Sequence, residues 1–373
     1  MKKIFLLFAL SLLLMNCSNS NKNKKQQSFD SYLVVGTYTH KTSEGVYLYK
    51  FNTETGKHSL ASSLKIDNPS FVTVAENGKL YIATENEDIA TDKISVAELN
   101  KETGKMNVVN SELTQGVAPC YVLVDEGVNK VISANYGGGS ISLFSLQNDG
   151  LLDKGVDVRT FNTPVGPNTA RQDAQHLHCI YLSPDNKYLF ANDLGADCIY
   201  QFEVDKLDEK VEPKIIALKP GSGPRHTVFH PNKKWAYTIT ELSGEVMAFA
   251  YANGTLNLFQ TILADPNKAQ GSADIQITPD GKYLYASNRL KDDGVAIFEI
   301  AGDGTLTSIG YQKTGVHPRN MVITPNGKFL LVACRDTDSI EVYEIQPETG
   351  ALINTNQDIK VSMPVCLKFT SLN

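Results

Sequence analysis

A repeat of 46 to 58 residues restricts the fold of this chain more than any other feature. Segments 178–193 (HCIYLSPDNKYLFAND), 225–241 (RHTVFHPNKKWAYTITE), 274–289 (DIQITPDGKYLYASNR) and 319–335 (RNMVITPNGKFLLVACR) share one plan. Each has an apolar or β-branched strand, a turn built from Pro with Asp, Asn, Gly or Lys, and a second strand rich in aromatics. Segments 70–86 and 120–136 follow the same plan. A third strand comes after each hairpin, as in ISVAEL, ISLFSL, CIYQFEV, EVMAFAY, GVAIFEI and SIEVYEI. A second turn, such as Glu102-Thr103-Gly104, Asn253-Gly254, Asp303-Gly304 or Glu348-Thr349-Gly350, then leads into a weaker fourth strand. The unit is therefore four antiparallel strands.

The first strands begin at Pro69, Pro119, Leu177, Pro224, Ser272, Pro318 and Pro364, spaced 50, 58, 47, 48, 46 and 46 residues apart. That spacing matches the blade of a β-propeller. Only PVCLKFTSLN remains after Met363, whereas SYLVVGTYT and GVYLYKF near the start supply later strands of a blade that lacks its first. A C-terminal strand completing the N-terminal blade closes the ring and removes its free edge. The expected fold is all-β: one seven-bladed propeller over residues 29–373, with four antiparallel strands per blade.

The residues ahead of the repeat belong to a different class. MKKIFLLFALSLLLMNC has two lysines and an apolar run from Ile4 to Met15, too short for a membrane span and suited to a signal peptide. Residues 1–17 are expected to be a lipoprotein-type leader ending at Cys17, the lipidated residue. Residues 18–28, SNSNKNKKQQS, form a flexible tether. The product is expected to be exported and held to a membrane only through Cys17, facing the periplasm or the cell surface. The five other cysteines match no zinc spacing or complete disulfide framework and are expected to be small core residues. A formal charge of −6, with 29 Lys and only 6 Arg, argues against a nucleic-acid partner.

Strand polarity assigns residues to the two faces of the ring. First-strand starts and second-strand ends share the top face. The starts are Ser70, Cys120, His178, Arg225, Ala273, Arg319 and Val365, with His176 ahead of His178 and His226 beside Arg225. The ends are Glu85 and Asn86, Asn135 and Tyr136, Asp193, Glu241, Asn288 and Arg289, and Arg335. Four of the six arginines thus meet on one rim of an acidic protein. Guanidinium groups facing a partly closed funnel suit a multi-oxygen anion such as a carboxylate or phosphate. The wide spacing before Leu177 also puts a long loop, FNTPVGPNTARQDAQ, on this face. His176 and His178 alternate on an extended segment and are expected to point the same way. No third ligand stands at a diagnostic spacing, so hydrogen bonding or acid/base work is expected of them rather than metal binding. A histidine beside Glu241 is suited to activating water.

The combination of His178, Gly223-Pro224-Arg225-His226, Glu241-Leu242, the run Pro279 to Arg289 and Pro318-Arg319 resembles the seven-bladed propeller lactonases. That family includes bacterial 6-phosphogluconolactonase and carboxymuconate-cyclising enzymes, and the likeness covers essentially residues 30–370. It implies a metal-independent, cofactor-free lactonase acting on a small anionic sugar lactone. Its active-site His, two Arg and Glu fall on His178, Arg225, Glu241 and Arg289, which the polarity argument reaches independently. His178 is the expected base, with Glu241 orienting it or sharing the proton work. His176, His226, Arg319, Arg335, Asn135, Asp193 and Asn288 are the expected substrate-binding residues. The alternatives are a carboxymuconate cyclase-like enzyme and a non-catalytic, membrane-tethered propeller that binds a ligand or protein.

Overall fold

Period-two alternation with β-branched and aromatic residues builds strands here, and Gly- and Asn-rich turns limit them to a few residues each. The computed structural model describes residues 28–372; the leader, Cys17 and the tether up to residue 27 lie outside them. The described chain forms seven antiparallel sheets of four strands, one carrying an extra short strand, Ile359–Lys360. Two 3-10 turns, Val204–Lys206 and Arg335–Thr337, are the helical elements among the described residues. This is the seven-bladed all-β propeller that the repeat predicts.

The inner strands are Pro364–Ser371, Pro69–Val74, Pro119–Asp125, Leu177–Leu182, Pro224–Phe229, Ile275–Ile277 and Pro318–Ile323. Six start at the residue read from the sequence. The sixth blade's ladder begins at Ile275 rather than Ser272, because the chain ahead of it turns its carbonyls toward two arginines. Gly271 O and Ser272 O accept from Arg289, and Ala273 O accepts from Arg225. Ring closure is also as expected: Pro364–Ser371 pairs antiparallel with Ser31–Thr37, with Leu33 opposite Phe369 and Val35 opposite Leu367.

Seven inner strands converging on one axis cannot extend a ladder to one another, so their inward backbone groups need other partners. Side chains supply them at every joint of the ring. Ser70 donates to Pro119 O (3.2 Å), Cys120 Sγ to Leu177 O (3.5 Å), and Asn192 to Arg225 O (3.2 Å). Arg225 donates to Ala273 O (2.6 Å), and the Met321 and Leu367 amides donate to Asp274 and Asn320 (2.7 Å each). The Val72 amide donates to Cys366 Sγ (3.3 Å), completing the circle.

A second device ties the blades together further out. Buried tyrosines on the second strands donate to the turn of the following blade: Tyr81 to Gly150 O (2.7 Å), Tyr237 to Gly304 O (2.8 Å) and Tyr285 to Gly350 O (2.9 Å). A buried phenol needs such a partner, and the turns that receive it are tight. At Gly350, φ is +66° and a Cβ would stand 2.4 Å from Tyr283, so this position is closed to other residues. Cys120, Cys179, Cys198, Cys334 and Cys366 are buried free thiols.

Between the blades the packing is apolar. The first and last blades share a cluster that includes Leu33, Val35, Phe51, Phe329, Leu331, Val342 and Leu367. Leu367 is 1% exposed at the closing strand. Leu367→Ala should lower stability by about 2–5 kcal/mol, read from urea denaturation, because the cavity opens where the ring is closed.

Candidate active site

Six of the seven inner strands enter the ring through an irregularity that aims one side chain at the channel mouth. In six blades the register slips at the second residue, which leaves Ser70, Cys120, His178, Arg225, Arg319 and Val365 without a cross-strand partner. Such a bulge redirects the extra residue out of the pleat. Before five of these strands the residue preceding the proline has positive φ: Asn68, Ala118, Gly223, His317 and Met363. The second strands end just below the mouth, and the next residue of each blade forms an upper ring of Tyr38, Glu85, Tyr136, Leu194, Glu241, Arg289 and Arg335. All of these but Leu194 line a cavity of about 650 Å³, together with Cys120, Arg171, His178, His317 and Arg319.

Glu241 is the electrostatic centre. Its Oε2 accepts from Arg225 Nε at 2.8 Å and lies 3.3 Å from Arg289 Nη2, while Oε1 accepts from Arg171 Nη2 at 2.6 Å. Burial alone would raise this carboxyl, but the Arg289, Arg225 and Arg171 guanidinium groups hold it down at about 2. Glu241 is a fixed anion whose oxygens are committed to arginines, not a partner of His178. Arg225 also donates to Ala273 O, and His226 Nε2 stands 3.3 Å from its Nη1. Because Arg225 can only donate, that ring nitrogen accepts, and the His226 Nδ1 proton goes to Asp274 at 2.8 Å. His226 is pushed down to about 4 by burial and then by Arg225, so it is neutral and braces the guanidinium from below.

His178 faces the cavity from its bulge. Burial, then Arg225, His226 and Arg319, push it well below the usual histidine range. It stays a neutral imidazole able to accept a proton. Cys120 Sγ lies 3.8 Å from its Nδ1, and Tyr136 and His226 meet the ring edge-on at 5.6 and 5.2 Å.

The opposite wall has a different chemistry. Arg319 Nη2 donates to Tyr38 OH at 2.8 Å, and Tyr38 donates to Glu85 Oε2 at 2.9 Å. Arg319 itself is 4.0 Å from that carboxylate. At the rim Arg335 holds Asp336 through two bonds, 2.7 and 2.9 Å. His317 bridges the two groups, with Nε2 3.1 Å from Arg289 Nη1 and Nδ1 3.4 Å from Asp336.

Of the residues singled out by sequence, His178, Glu241, Arg289, Arg319 and Arg335 line the cavity, with Arg225 and His226 directly beneath. His176 does not share the cavity lining with His178. Its ring stacks on Tyr136 at 4.5 Å, and its nitrogens meet Tyr136 O at 2.9 Å and Asp173 at 3.1 Å. The bulge at His178 breaks the alternation on which a shared direction depends. Asn135, Asp193 and Asn288 end their strands one residue too early to reach the cavity, and they brace loops instead. Asn135 bonds Ser140 and Ser142, Asp193 accepts the amides of His176, Gly195 and Ala196, and Asn288 holds Ala264 O. Tyr38, Glu85, Tyr136, Arg171 and His317 complete the site. Glu85 and Tyr136 were readable as strand-end neighbours. Arg171 sits on the long loop, whose shape no periodicity reports. Among the described residues, no cluster of three or more His, Cys, Asp and Glu is disposed to hold a metal ion.

The low value of Glu241 links the site to stability. A carboxylate held below its ordinary value near 4.5 stabilises the fold above that pH and loses the contribution as pH falls toward about 2. Glu241→Gln should be about 3–5 kcal/mol less stable than wild type at pH 6, because two buried cations, Arg225 and Arg289, and the half-buried Arg171 lose their counter-charge. The gap should close in acid denaturation series between pH 4.5 and 2, where the wild-type carboxyl also becomes neutral.

Comparisons with known proteins agree with this architecture. The family described as "Lactonase, 7-bladed beta-propeller" matches residues 32–369. A 6-phosphogluconolactonase of Formosa agariphila is 38% identical over 88% of this chain and 97% of its own length. The Bacillus subtilis 6-phosphogluconolactonase is 34% identical over 90% and 97%. Among solved structures, a candidate 6-phosphogluconolactonase from Bacteroides fragilis superposes with a TM-score of 0.88 at 44% identity, covering 92% of this chain and 99% of that one. The periplasmic gluconolactonase of Pseudomonas aeruginosa superposes with a TM-score of 0.85 at 28% identity, covering 92% and 100%. With the repeat, the ring closure and the family match in agreement over nearly the whole described chain, the protein belongs to the seven-bladed β-propeller lactonase family.

Proposed function

We propose that this protein hydrolyses an anionic sugar lactone of the 6-phosphogluconolactone type. The observation that carries the reading is the charge balance of the cavity: five arginines meet four acidic side chains, Glu85, Glu87, Glu241 and Asp336, in a protein whose formal charge is −6. Such a surplus of guanidinium donors in a buried site attracts a substrate that brings its own negative charge. Relatives named 6-phosphogluconolactonase support the same substrate class.

In this reading neutral His178 takes a proton from water as its oxygen adds to the lactone carbonyl. Arg289 and Arg319 stabilise the oxyanion that develops, and the ring C–O bond breaks to release the open hydroxy acid. Glu241 does not transfer a proton; it keeps three guanidinium groups in one place before the substrate arrives. Arg335, at the outer edge, takes the distal anionic group. We further propose that residues 1–16 are removed and that Cys17, the new first residue, carries a lipid, on the composition of the leader. The location printed for the Pseudomonas gluconolactonase supports export. Incorporation of a labelled lipid precursor, abolished by Cys17→Ser, tests that part.

Turnover of 6-phosphogluconolactone against unphosphorylated gluconolactone tests the main reading, and hydrolysis of neither by the purified protein refutes it. Arg289→Ala should lower kcat/KM on the preferred lactone at least about tenfold through loss of a charge-assisted contact. The acid limb of the wild-type kcat/KM profile should lie below the ordinary histidine value of about 6.5. A depressed base stays deprotonated as pH falls, until its own lower pKa is reached.

A further inference from the structure

We propose that Glu85 is the proton donor to the leaving alkoxide. The assignment rests on the lactonase reading and adds a group to it. Hydrolysis needs two proton transfers: His178 removes one from the attacking water, and the ring oxygen must gain one as its bond to the acyl carbon breaks. Glu241 cannot supply the second, since three guanidinium groups keep it ionised. Glu85 holds the same ring position three blades away, across the cavity.

Its surroundings differ from those of Glu241 in kind. No guanidinium contacts it at hydrogen-bond distance, since Arg319 stands 4.0 Å off with its near nitrogen engaged by Tyr38 OH. Tyr38 donates to Oε2, so a proton on this carboxyl resides on Oε1. The groups around it are Tyr38 from the first blade, Arg319 from the seventh, Ser70 on the adjoining inner strand, Glu87 in its own loop and Cys120 from the third blade. Burial outweighs Arg319, Ser70 and Tyr38 and moves the group up. Two carboxyls in one cavity are thereby driven apart, one to a permanent anion and one toward the acid form, the separation that divides electrostatic from proton-transfer roles. The reaction balances. Water oxygen bonds to the acyl carbon, the ring C–O bond breaks, Glu85 gives its proton to the ring oxygen, and the proton held by His178 returns to Glu85 through solvent.

The test compares wild type, Glu85→Gln and Glu85→Asp in kcat, KM and the pH profile of kcat, with infrared spectra of the unliganded proteins. Glu85→Gln should lose about 10²–10⁴-fold in kcat with KM little changed, and should lose the alkaline limb of the profile. Glu85→Asp should keep that limb at a reduced rate, which a merely structural role would not produce. The wild-type spectrum should contain a protonated carboxyl band at pH 6 that is missing from Glu85→Gln and present in Glu241→Gln. Wild-type kcat in Glu85→Gln, persistence of the alkaline limb in that variant, or absence of the band overturns the assignment. A wild type that turns over no lactone overturns the lactonase reading instead, while the infrared band judges the Glu85 proton on its own.

Discussion

The inner strands of this propeller converge where no ladder can join them, and the side chains that satisfy their inward backbone groups hold the ring together. Each joint uses a polar atom from one blade on the backbone of the next, from Ser70 on Pro119 round to Cys366 on Val72. The requirement is strict because a buried amide or carbonyl without a partner costs about 1–3 kcal/mol. It also decides which residues are free for chemistry. Arg225 belongs to both sets, since one guanidinium holds Ala273 O and the Glu241 carboxylate. The charge at the centre of the site is thus built into the ring itself, and Asp274 repeats the pattern by binding His226 on one oxygen and the Met321 amide on the other.

Electrostatic preorganisation follows from that overlap. A cluster of arginines in a buried funnel repels itself, and Arg289 shows the strain: burial and then the neighbouring Arg225, Arg319 and Arg335 outweigh Glu241 and pull it down to about 9. It remains a cation at neutral pH, poorly compensated. On the proposed reading, an anionic substrate would relieve this repulsion without any rearrangement of the strands. The long loop between blades adds Arg171, whose Nη2 reaches Glu241 at 2.6 Å and lies 3.4 Å from Tyr136 OH.

Much of this was legible in the sequence because the propeller repeats its own grammar. Pro-Asp-Gly-Lys turns and aromatic second strands located the blades, and strand polarity alone put His178, Glu241, Arg289, Arg319 and Arg335 on a common face. What stayed hidden was direction within that face. A one-residue bulge at His178 undoes the alternation that appeared to link it to His176, and nothing in a string of β-branched residues announces a bulge. The same resolution limit separates Asn135 from Tyr136 and Asn288 from Arg289, where neighbours divide the work of bracing a loop and facing the cavity. His317, in left-handed backbone before Pro318, owes its place to a turn rather than to a strand.

The closing strand has a consequence for how the molecule comes into being. Ser31–Thr37 precedes the strands of every other blade, yet its inner neighbour, Pro364–Ser371, follows all of them. The blade begun first is therefore the last to be finished, and Tyr32, Leu33 and Val34 remain without their inner partner strand until all the other blades have been made. Pairing across nearly the full length of the chain is slow, and until it happens an apolar strand edge is open to other chains. A channel mouth assembled from all seven blades takes its final form only with that step, so a chain cut ahead of Pro364 would carry the arginines without the closed ring around them.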